Sequence, residues 1–393
     1  MTELPPLDPS DADAPLHGVK VLEVAGELTG YAGRLLADLG AEVVLVRLSP
    51  AGGPDGFDPE SWFLHRDKTE VRLDPTSAGG RDGLSRLVAG ADVVLQSGGA
   101  DAPAAPPGLD ADAVHATNPR AVHAILTPFG LEGPAAEHAS TDLVRLAAGG
   151  LLWLGGYPDA EPVAPFGDQS TIATAIYGAV AVLLALIARE ADGRGDTIEV
   201  SSQEVITQAL ETSLPEFELL GTVRRRLGDV PREAGTGVFA CADGFVSMVA
   251  GRLGTAGAWK RLTEWLQQEG VPGAEELAGL GWNTLPFRQR PESIARFSEI
   301  FGTFAATRAK ADLYREAQHR SIALAPVNDL GDLLVDRQLA ARGFFREGAD
   351  PVTGTKTRFP APPFRLSPPA GPPVDVHGDP GLSPAIAIVR RPI

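Results

Sequence analysis

Few residues in this 393-residue sequence combine a reactive type with a setting that suits chemistry. The best placed is Asp168, in Phe166-Gly167-Asp168-Gln169-Ser170, between a Gly- and Pro-punctuated stretch and a long apolar run over 172–188. An aspartate ahead of a helix accepts bonds from the first free amides and gains from the helix dipole, so its plainest role is an N-cap. The same place holds a carboxylate ionised and oriented, as a carboxylate nucleophile requires, and the two readings are compatible. Nearby Gly155, Gly156 and Gly167 allow backbone to approach a bulky substrate closely. Asp142, after Ser140 and Thr141, is a second aspartate ahead of a helical stretch and reads first as an N-cap.

Other chemistries find little support. Cys241 is the one cysteine, which excludes an intramolecular disulfide and a Cys-based metal site. It reads as a small buried strand residue. The seven histidines, among them His65, His115, His123, His138 and His319, are scattered without metal-ligand spacing. There is no G-x-S-x-G. Arg224-Arg225-Arg226 reads as a solvated basic turn that could also meet an anionic group across a domain or subunit boundary. A net charge of −17 and a pI near 4.9 oppose nucleic acid and anionic membrane surfaces as partners. The apolar run is slightly short for a span, contains Thr174, Tyr177 and Gly178, and has no basic flank beyond Arg189. It reads as a buried core helix of a soluble, cytoplasmic protein. The acidic, Pro-rich start, residues 1–17, reads as a disordered tail rather than a signal peptide.

The elements that must position Asp168 follow from hydrophobic spacing. Strands are expected at 19–24, 42–48, 71–74, 92–96, 121–126 and 198–201, and helices at 31–39, 79–89, 143–154, 172–188 and 202–220. Strand, Gly loop, helix and strand within about thirty residues make a βαβ unit and hence a parallel sheet covered by helices. The spacing Gly26, Gly30, Gly33 is not the dinucleotide fingerprint. Beyond the basic turn, a hairpin over 237–249 and amphipathic helices at 258–269, 291–307 and 310–318 make a smaller α+β unit. Residues 330–341 read as one helix, and a Pro-rich tail follows Pro360.

Four segments in order together resemble the class III CoA-transferases, the group of formyl-CoA transferase and carnitine CoA-transferase, to which acyl-CoA racemases are related. They are Gly18 to Glu23 with Leu35 to Val43; Asn118-Pro119-Arg120 leading to Phe129-Gly130 and Gly133-Pro134; Gly167-Asp168 with Ala185-Leu186, Arg189 and Gly193-Arg194-Gly195; and Ala325-Pro326-Val327-Asn328 with Asp336, Leu339 and Arg342-Gly343-Phe344. The resemblance implies a Rossmann-like α/β large domain built from both chain ends (18–225 and 326–393), a smaller α+β domain (226–325), and an interlocked homodimer. It implies that Asp168 is the nucleophile, passing through an aspartyl anhydride and an aspartyl-CoA thioester to transfer CoA from an acyl-CoA to a carboxylic acid. Coenzyme A and acyl-CoA are then substrates, and no cofactor is tightly bound. Backbone amides near the helix start would stabilise the oxyanion.

The resemblance further implies CoA contacts from Gly26, Glu27, Leu28, Arg47, Leu48, Leu73 and Ser97, with Arg47 meeting the 3′-phosphate. Substrate contacts are expected from Thr141, Asp142, Trp153, Tyr157 and Phe166. Racemases of this fold carry His-Asp where this chain has Thr141-Asp142, and a threonine cannot serve as their proton-transfer base. The family's Gly-Pro before the first helix is here Gly30-Tyr31, and its Glu-Asn after the third buried strand is Gln96-Ser97. The basic residue of the following loop is missing over 98–108.

Overall fold

The computed structural model describes residues 14–48, 58–99, 107–251, 257–349 and 354–365. Most of the expected N-terminal tail, most of the 98–108 loop and the Pro-rich stretch from 366 lie outside these.

Six strands form one parallel sheet: β1 (Lys20–Val24), β2 (Glu42–Leu48), β3 (Thr69–Leu73), β4 (Val93–Ser97), β5 (Val122–Thr127) and β6 (Thr197–Ser201). Their spatial order is β3-β2-β1-β4-β5-β6. The strands are continuous in Val, Leu and Ile because both faces are covered, and Leu45, Val46, Val93, Val94, Leu95 and Leu126 have no exposure. Each such side chain contributes on the order of 1.5–3 kcal/mol by leaving water.

The helices of this unit are α1 (Gly30–Asp38), α2 (Pro59–His65), α3 (Ala78–Gly90), α4 (Ala111–Thr117), α5 (Asp142–Ala148), α6 (Gln169–Asp192), α7 (Ser202–Gln208) and α8 (Ser213–Leu220). The single helix expected over 143–154 stops at Gly149-Gly150. There Gly150 takes φ +85, a left-handed backbone that favours glycine, and a short 3₁₀ turn, Leu151–Leu154, follows. The helix expected over 202–220 likewise divides into α7 and α8. A hairpin of β10 (Phe345–Ala349) and β11 (Lys356–Pro360), which the spacing does not reveal, closes this part of the chain.

The second unit holds an antiparallel sheet β7-β8-β9 (Thr236–Cys241, Gly244–Val249, Ala323–Val327). With it are α9 (Ala258–Gln268), α10 (Leu285–Arg288), α11 (Pro291–Ala305), α12 (Lys310–His319), α13 (Leu330–Leu334) and α14 (Arg337–Ala341). By contacts the first unit comprises 1–153, 163–224 and 343–393, and the second 154–162 and 225–342. The chain therefore leaves the second unit at 342 rather than after 325. Strand β9 pairs with β8 in the smaller sheet, and Asp332 of α13 pairs with Lys310 of α12, which ties the following helices to the same unit. Cys241, at the end of β7, is half-buried rather than buried. The basic turn is not freely solvated: Arg224 pairs with Glu216, and Arg226 donates to the carbonyls of Tyr157 (2.9 Å) and Ala160 (2.8 Å).

The long helix departs from expectation. The face of α6 carrying Ala175, Gly178, Ala179, Val182 and Leu186 is buried, but Ile172, Ile176, Val180, Leu184 and Ile187 stand 38–67% exposed. It is long and apolar enough to cross a membrane, yet it is only partly covered within this chain.

Candidate active site

Strands β1 and β4 are neighbours in the sheet although β2 and β3 separate them in the chain; the sheet grows from them in opposite directions, and in open α/β sheets the crevice at such a switch point takes ligands. Gly26 follows the carboxyl end of β1, and Ser97 ends β4. A Cβ on Gly26 would lie 2.3 Å from Ser97 Oγ, so only glycine lets these loops meet. Ser97 Oγ and Gln96 Oε1 are buried without a hydrogen-bond partner among the described residues. Thr29 is buried and donates to the carbonyls of Val24 (3.1 Å) and Gly26 (3.2 Å), closing the loop on itself.

The other residues expected at CoA are distributed unevenly. Leu48 and Leu73 face each other across the ends of β2 and β3. Leu28 is 3% exposed and packs in the core, so its side chain is not open to a ligand. Arg47 is engaged by Glu70 at 3.1 Å, and Glu70 also takes Arg72 at 3.0 Å. Glu27 is half-exposed at the mouth of the β1–α1 loop.

Asp168 occupies the N-cap position of α6, but its side chain makes no cap bond. Its carbonyl accepts the first helical bond, from Ile172 N at 3.0 Å. The cap comes from α5 instead. Asp142 Oδ1 accepts from Ser170 N (2.7 Å), Ser170 Oγ (2.6 Å) and Thr171 N (3.2 Å). Asp142 in turn does not cap its own helix; Thr141 does, accepting from Val144 N at 3.4 Å. The two aspartate caps expected from sequence are thus one borrowed cap and one free carboxylate. Asp168 is exposed, in a segment where Gly167 takes φ +81 and Phe166 is 98% exposed.

The amides of Gln169, Ser170 and Thr171 are not open for an oxyanion. Those of Ser170 and Thr171 go to Asp142, and that of Gln169 donates to Gly167 O at 3.0 Å.

One turn beyond Asp142 lies Arg145, buried to zero exposure and not singled out by the sequence reading. Its Nε donates to Ser170 Oγ (3.0 Å) and its Nη1 to Ser140 Oγ (3.0 Å). Its Nη2 donates to Thr171 Oγ1 (2.8 Å) and Glu27 Oε1 (2.5 Å). A guanidinium suits this place because its planar fork serves several acceptors at once. The only sequence signal was an arginine three residues after Asp142 on a helix of mostly apolar residues, which reads equally well as an exposed charge.

A second polar cluster lies under α1. Lys68 Nζ and Glu23 Oε2 are 2.6 Å apart with neither side chain exposed, and Lys68 also donates to Gly30 O at 2.9 Å. Burial pushes the Glu23 carboxyl up to about 7 against the pull of Lys68. Burial likewise lowers Lys68, and it takes His65, beside Lys68, down to about 4.

Trp153 is half-exposed and donates from Nε1 to Arg224 O at 2.8 Å. Tyr157 belongs to the second unit, where it packs on Gly228. The structure thus brings Asp142, Asp168, Glu27, Gly26 and Ser97 to one end of the large unit, while Tyr157 is described in the other.

A doubly wound α/β unit with a free carboxylate at a helix start, beside the switch-point loops, defines a class of enzyme suited to acyl chemistry. A profile of CoA-transferase family III matches residues 16–378. A subunit of succinyl-CoA:(R)-benzylsuccinate CoA-transferase from Thauera aromatica is 30% identical over 364 residues, covering 88% of this chain and 87% of its own. Succinate–glutarate CoA-transferase of Agrobacterium fabrum is 28% identical over 361 residues, 87% and 86% of the two chains. A CAIB/BAIF family protein from Brucella suis has the same fold, with a TM-score of 0.76 at 27% identity over 90% and 93% of the chains. The chain belongs to CoA-transferase family III and is an enzyme of that class.

Proposed function

We propose that this enzyme moves CoA from an acyl-CoA to a carboxylic acid with Asp168 as nucleophile. The observation that carries the reading is the borrowed cap: Asp142 holds the amides of Ser170 and Thr171, and the Asp168 carboxylate is left exposed and unused by its helix. A carboxylate oxygen of Asp168 attacks the thioester carbonyl, the C–S bond breaks, and CoA thiolate leaves an acyl-aspartyl anhydride. The thiolate attacks the aspartyl carbonyl of that anhydride and expels the first acid as its carboxylate. The acceptor carboxylate then attacks the aspartyl-CoA carbonyl, its C–S bond breaks and a second anhydride forms; the thiolate attacks the acceptor's carbonyl in that anhydride and expels Asp168 as its carboxylate. Each enzyme-bound intermediate is an anhydride or a thioester, so the activation of the starting thioester is retained if water is excluded.

Thr141 supports transfer over racemisation, since its hydroxyl caps α5 and cannot hold a proton as a base does. The relatives named for succinyl-CoA and for succinate make a short dicarboxylic acyl group the first donor to test. For CoA we propose the crevice of Gly26, Ser97, Leu48 and Leu73, with the backbone rather than the side chains of Glu27, whose carboxylate is held by Arg145, and Leu28. Arg47 would reach a phosphate only by leaving Glu70. A second copy of the chain covering Ile176, Val180, Leu184 and Ile187 accounts for the apolar face of α6.

Asp168→Ala is expected to abolish transfer while leaving the size of the particle in solution unchanged. Full activity in that variant overturns the assignment. Weighing the wild-type protein after mixing with a panel of acyl-CoAs should show a covalent adduct on Asp168.

A further inference from the structure

The β1–α1 loop and the first turn of α6 belong to the two halves of the proposed reaction. The first sits at the CoA crevice, and the second carries the nucleophile. Glu27 links them by way of α5: it accepts from the buried Arg145, 118 residues away in sequence, at 2.5 Å. Arg145 spends its other donors on Ser140, Ser170 and Thr171. Asp142, one turn earlier, takes the amides of the same Ser170 and Thr171. The first turn of α6 is therefore gripped by its hydroxyls and its amides from a single helix. The outer edge of that grip is completed by a half-exposed carboxylate from the CoA loop. Thr171 Oγ1 also reaches Glu27 Oε1, at 3.4 Å, so the loop touches the helix start both directly and through the guanidinium.

We propose that Glu27 and Arg145 form a positioning latch that aligns the Asp168 segment only while the β1–α1 loop is docked. A charged guanidinium that donates to several fixed acceptors, as Arg145 does, holds its partners in one orientation, and a displacement of about 1 Å at a nucleophile can cost on the order of 100-fold in rate. Because Glu27 is half-exposed, water can replace it at Nη2, and its loss leaves the fold intact. The latch rests on the reading of Asp168 as nucleophile given above.

The test uses the full-length protein as Glu27→Ala and Glu27→Gln. The readouts are steady-state kinetics with succinyl-CoA, the melting temperature, and hydrogen exchange of the amides of Ser170 and Thr171. In Glu27→Ala, kcat should fall about tenfold or more while KM for succinyl-CoA changes less than about threefold. The melting temperature should stay put, and the Ser170 and Thr171 amides should exchange faster. Glu27→Gln, whose amide oxygen can still accept from Arg145, should restore most of kcat. A raised KM at unchanged kcat would make Glu27 a plain substrate contact and overturn the latch, as would wild-type kinetics in Glu27→Ala. Should Asp168→Ala retain activity, the nucleophile assignment falls separately. The latch is then decided by exchange alone, and unchanged exchange in Glu27→Ala overturns it.

Discussion

The two units bury different kinds of matter. The core of the second is aromatic. Trp265 meets Phe304 edge-on with ring centroids 5.0 Å apart, Phe297 stacks on Phe301 at 5.8 Å, and Trp259 stacks on Trp282 at 5.8 Å. This unit buries Arg288 too, but the guanidinium lies over the Trp259 ring at 4.8 Å. The core of the first unit is aliphatic and encloses polar groups. Glu23 and Lys68 are sealed together, Arg34 pairs with Asp38, Arg145 is buried among hydroxyls, and His123 has no exposure. Buried aromatics gain from area and ring geometry at any pH. Buried ions must be matched partner for partner, and their worth depends on protonation. The unit that holds the proposed chemistry is thus the one whose stability should respond to pH.

The largest expected effect probes the aromatic side. Trp265→Ala should cost about 3–5 kcal/mol, the usual loss for a large buried side chain. Urea denaturation at pH 5 and at pH 8 should give the same loss, and a marked difference between the two would break the contrast. Lys68→Met probes the other side. It leaves Glu23 buried without its cation, at a cost of about 3–5 kcal/mol while the carboxyl is ionised. Because burial already raises Glu23 to about 7, the variant can relieve itself by protonating that carboxyl. The loss should therefore be clearly larger at pH 8 than at pH 5, and equal losses would show that the pair is not titrating.

The wild-type pH profile should hide opposing slopes. Glu23 titrates near 7 in the fold against a usual 4.5, so the native state binds more protons in that interval and stability declines as pH rises through it. His123, with both ring nitrogens buried and unpartnered among the described residues, is lowered by burial from 6.5 to about 4. There the unfolded chain binds more protons, so stability falls as pH drops from 6.5 toward 4. His65 acts in the same direction as His123. Glu23 and His123 can each shift stability by up to about 3 kcal/mol, and the less buried His65 by less. Glu23→Gln should expose the histidine slope, with stability rising from pH 4.5 to 6.5, and His123→Leu should flatten that rise. Denaturation midpoints across this interval decide it. Parallel profiles for wild type and Glu23→Gln would mean that Glu23 keeps an ordinary carboxylate titration.

Periodicity revealed the sheet because strands buried on both faces are nearly continuous in apolar residues, as at Val93-Val94-Leu95. It missed β10 and β11, whose alternation is slight, and α2, whose amphipathic pattern spans only seven residues. Asp168 was legible as a residue at a helix start, but its freedom was not. That depends on Asp142 reaching 28 residues along the chain, which no local pattern encodes. Several residues that made the family recognisable turn out to fasten the sheet. Asn118 Nδ2 donates to Ala91 O at 2.8 Å, Arg120 to Gly193 O at 3.0 Å, and Gly195 N to Pro119 O at 3.0 Å. A Cβ on Gly195 would lie 1.8 Å from Ala121 O. The family signature thus marks the frame more than the reacting groups, which is why Arg145 and its hydroxyl partners went unread.

The smallest effect makes the same substitution in one helix of each unit. Glycine inside a helix costs roughly 0.5–1 kcal/mol relative to alanine, so Gly→Ala should stabilise wherever a methyl fits. In α11 of the aromatic unit a Cβ on Gly302 meets nothing within 4 Å. Gly302→Ala should therefore raise stability by about 0.5–1 kcal/mol. In α1 of the charged unit a Cβ on Gly33 would lie 1.8 Å from Glu23 Oε2, 2.7 Å from Glu23 Cδ and 3.1 Å from Lys68 Nζ. There the methyl must push into a buried ion pair that has no room to move, and Gly33→Ala should lower stability by about 1–3 kcal/mol. Opposite signs in denaturation midpoints measured side by side would show that the buried pair restricts the residues around it. A stabilised Gly33→Ala would show that Glu23 and Lys68 yield readily, and the contrast between the two cores would lose its sharpest local support.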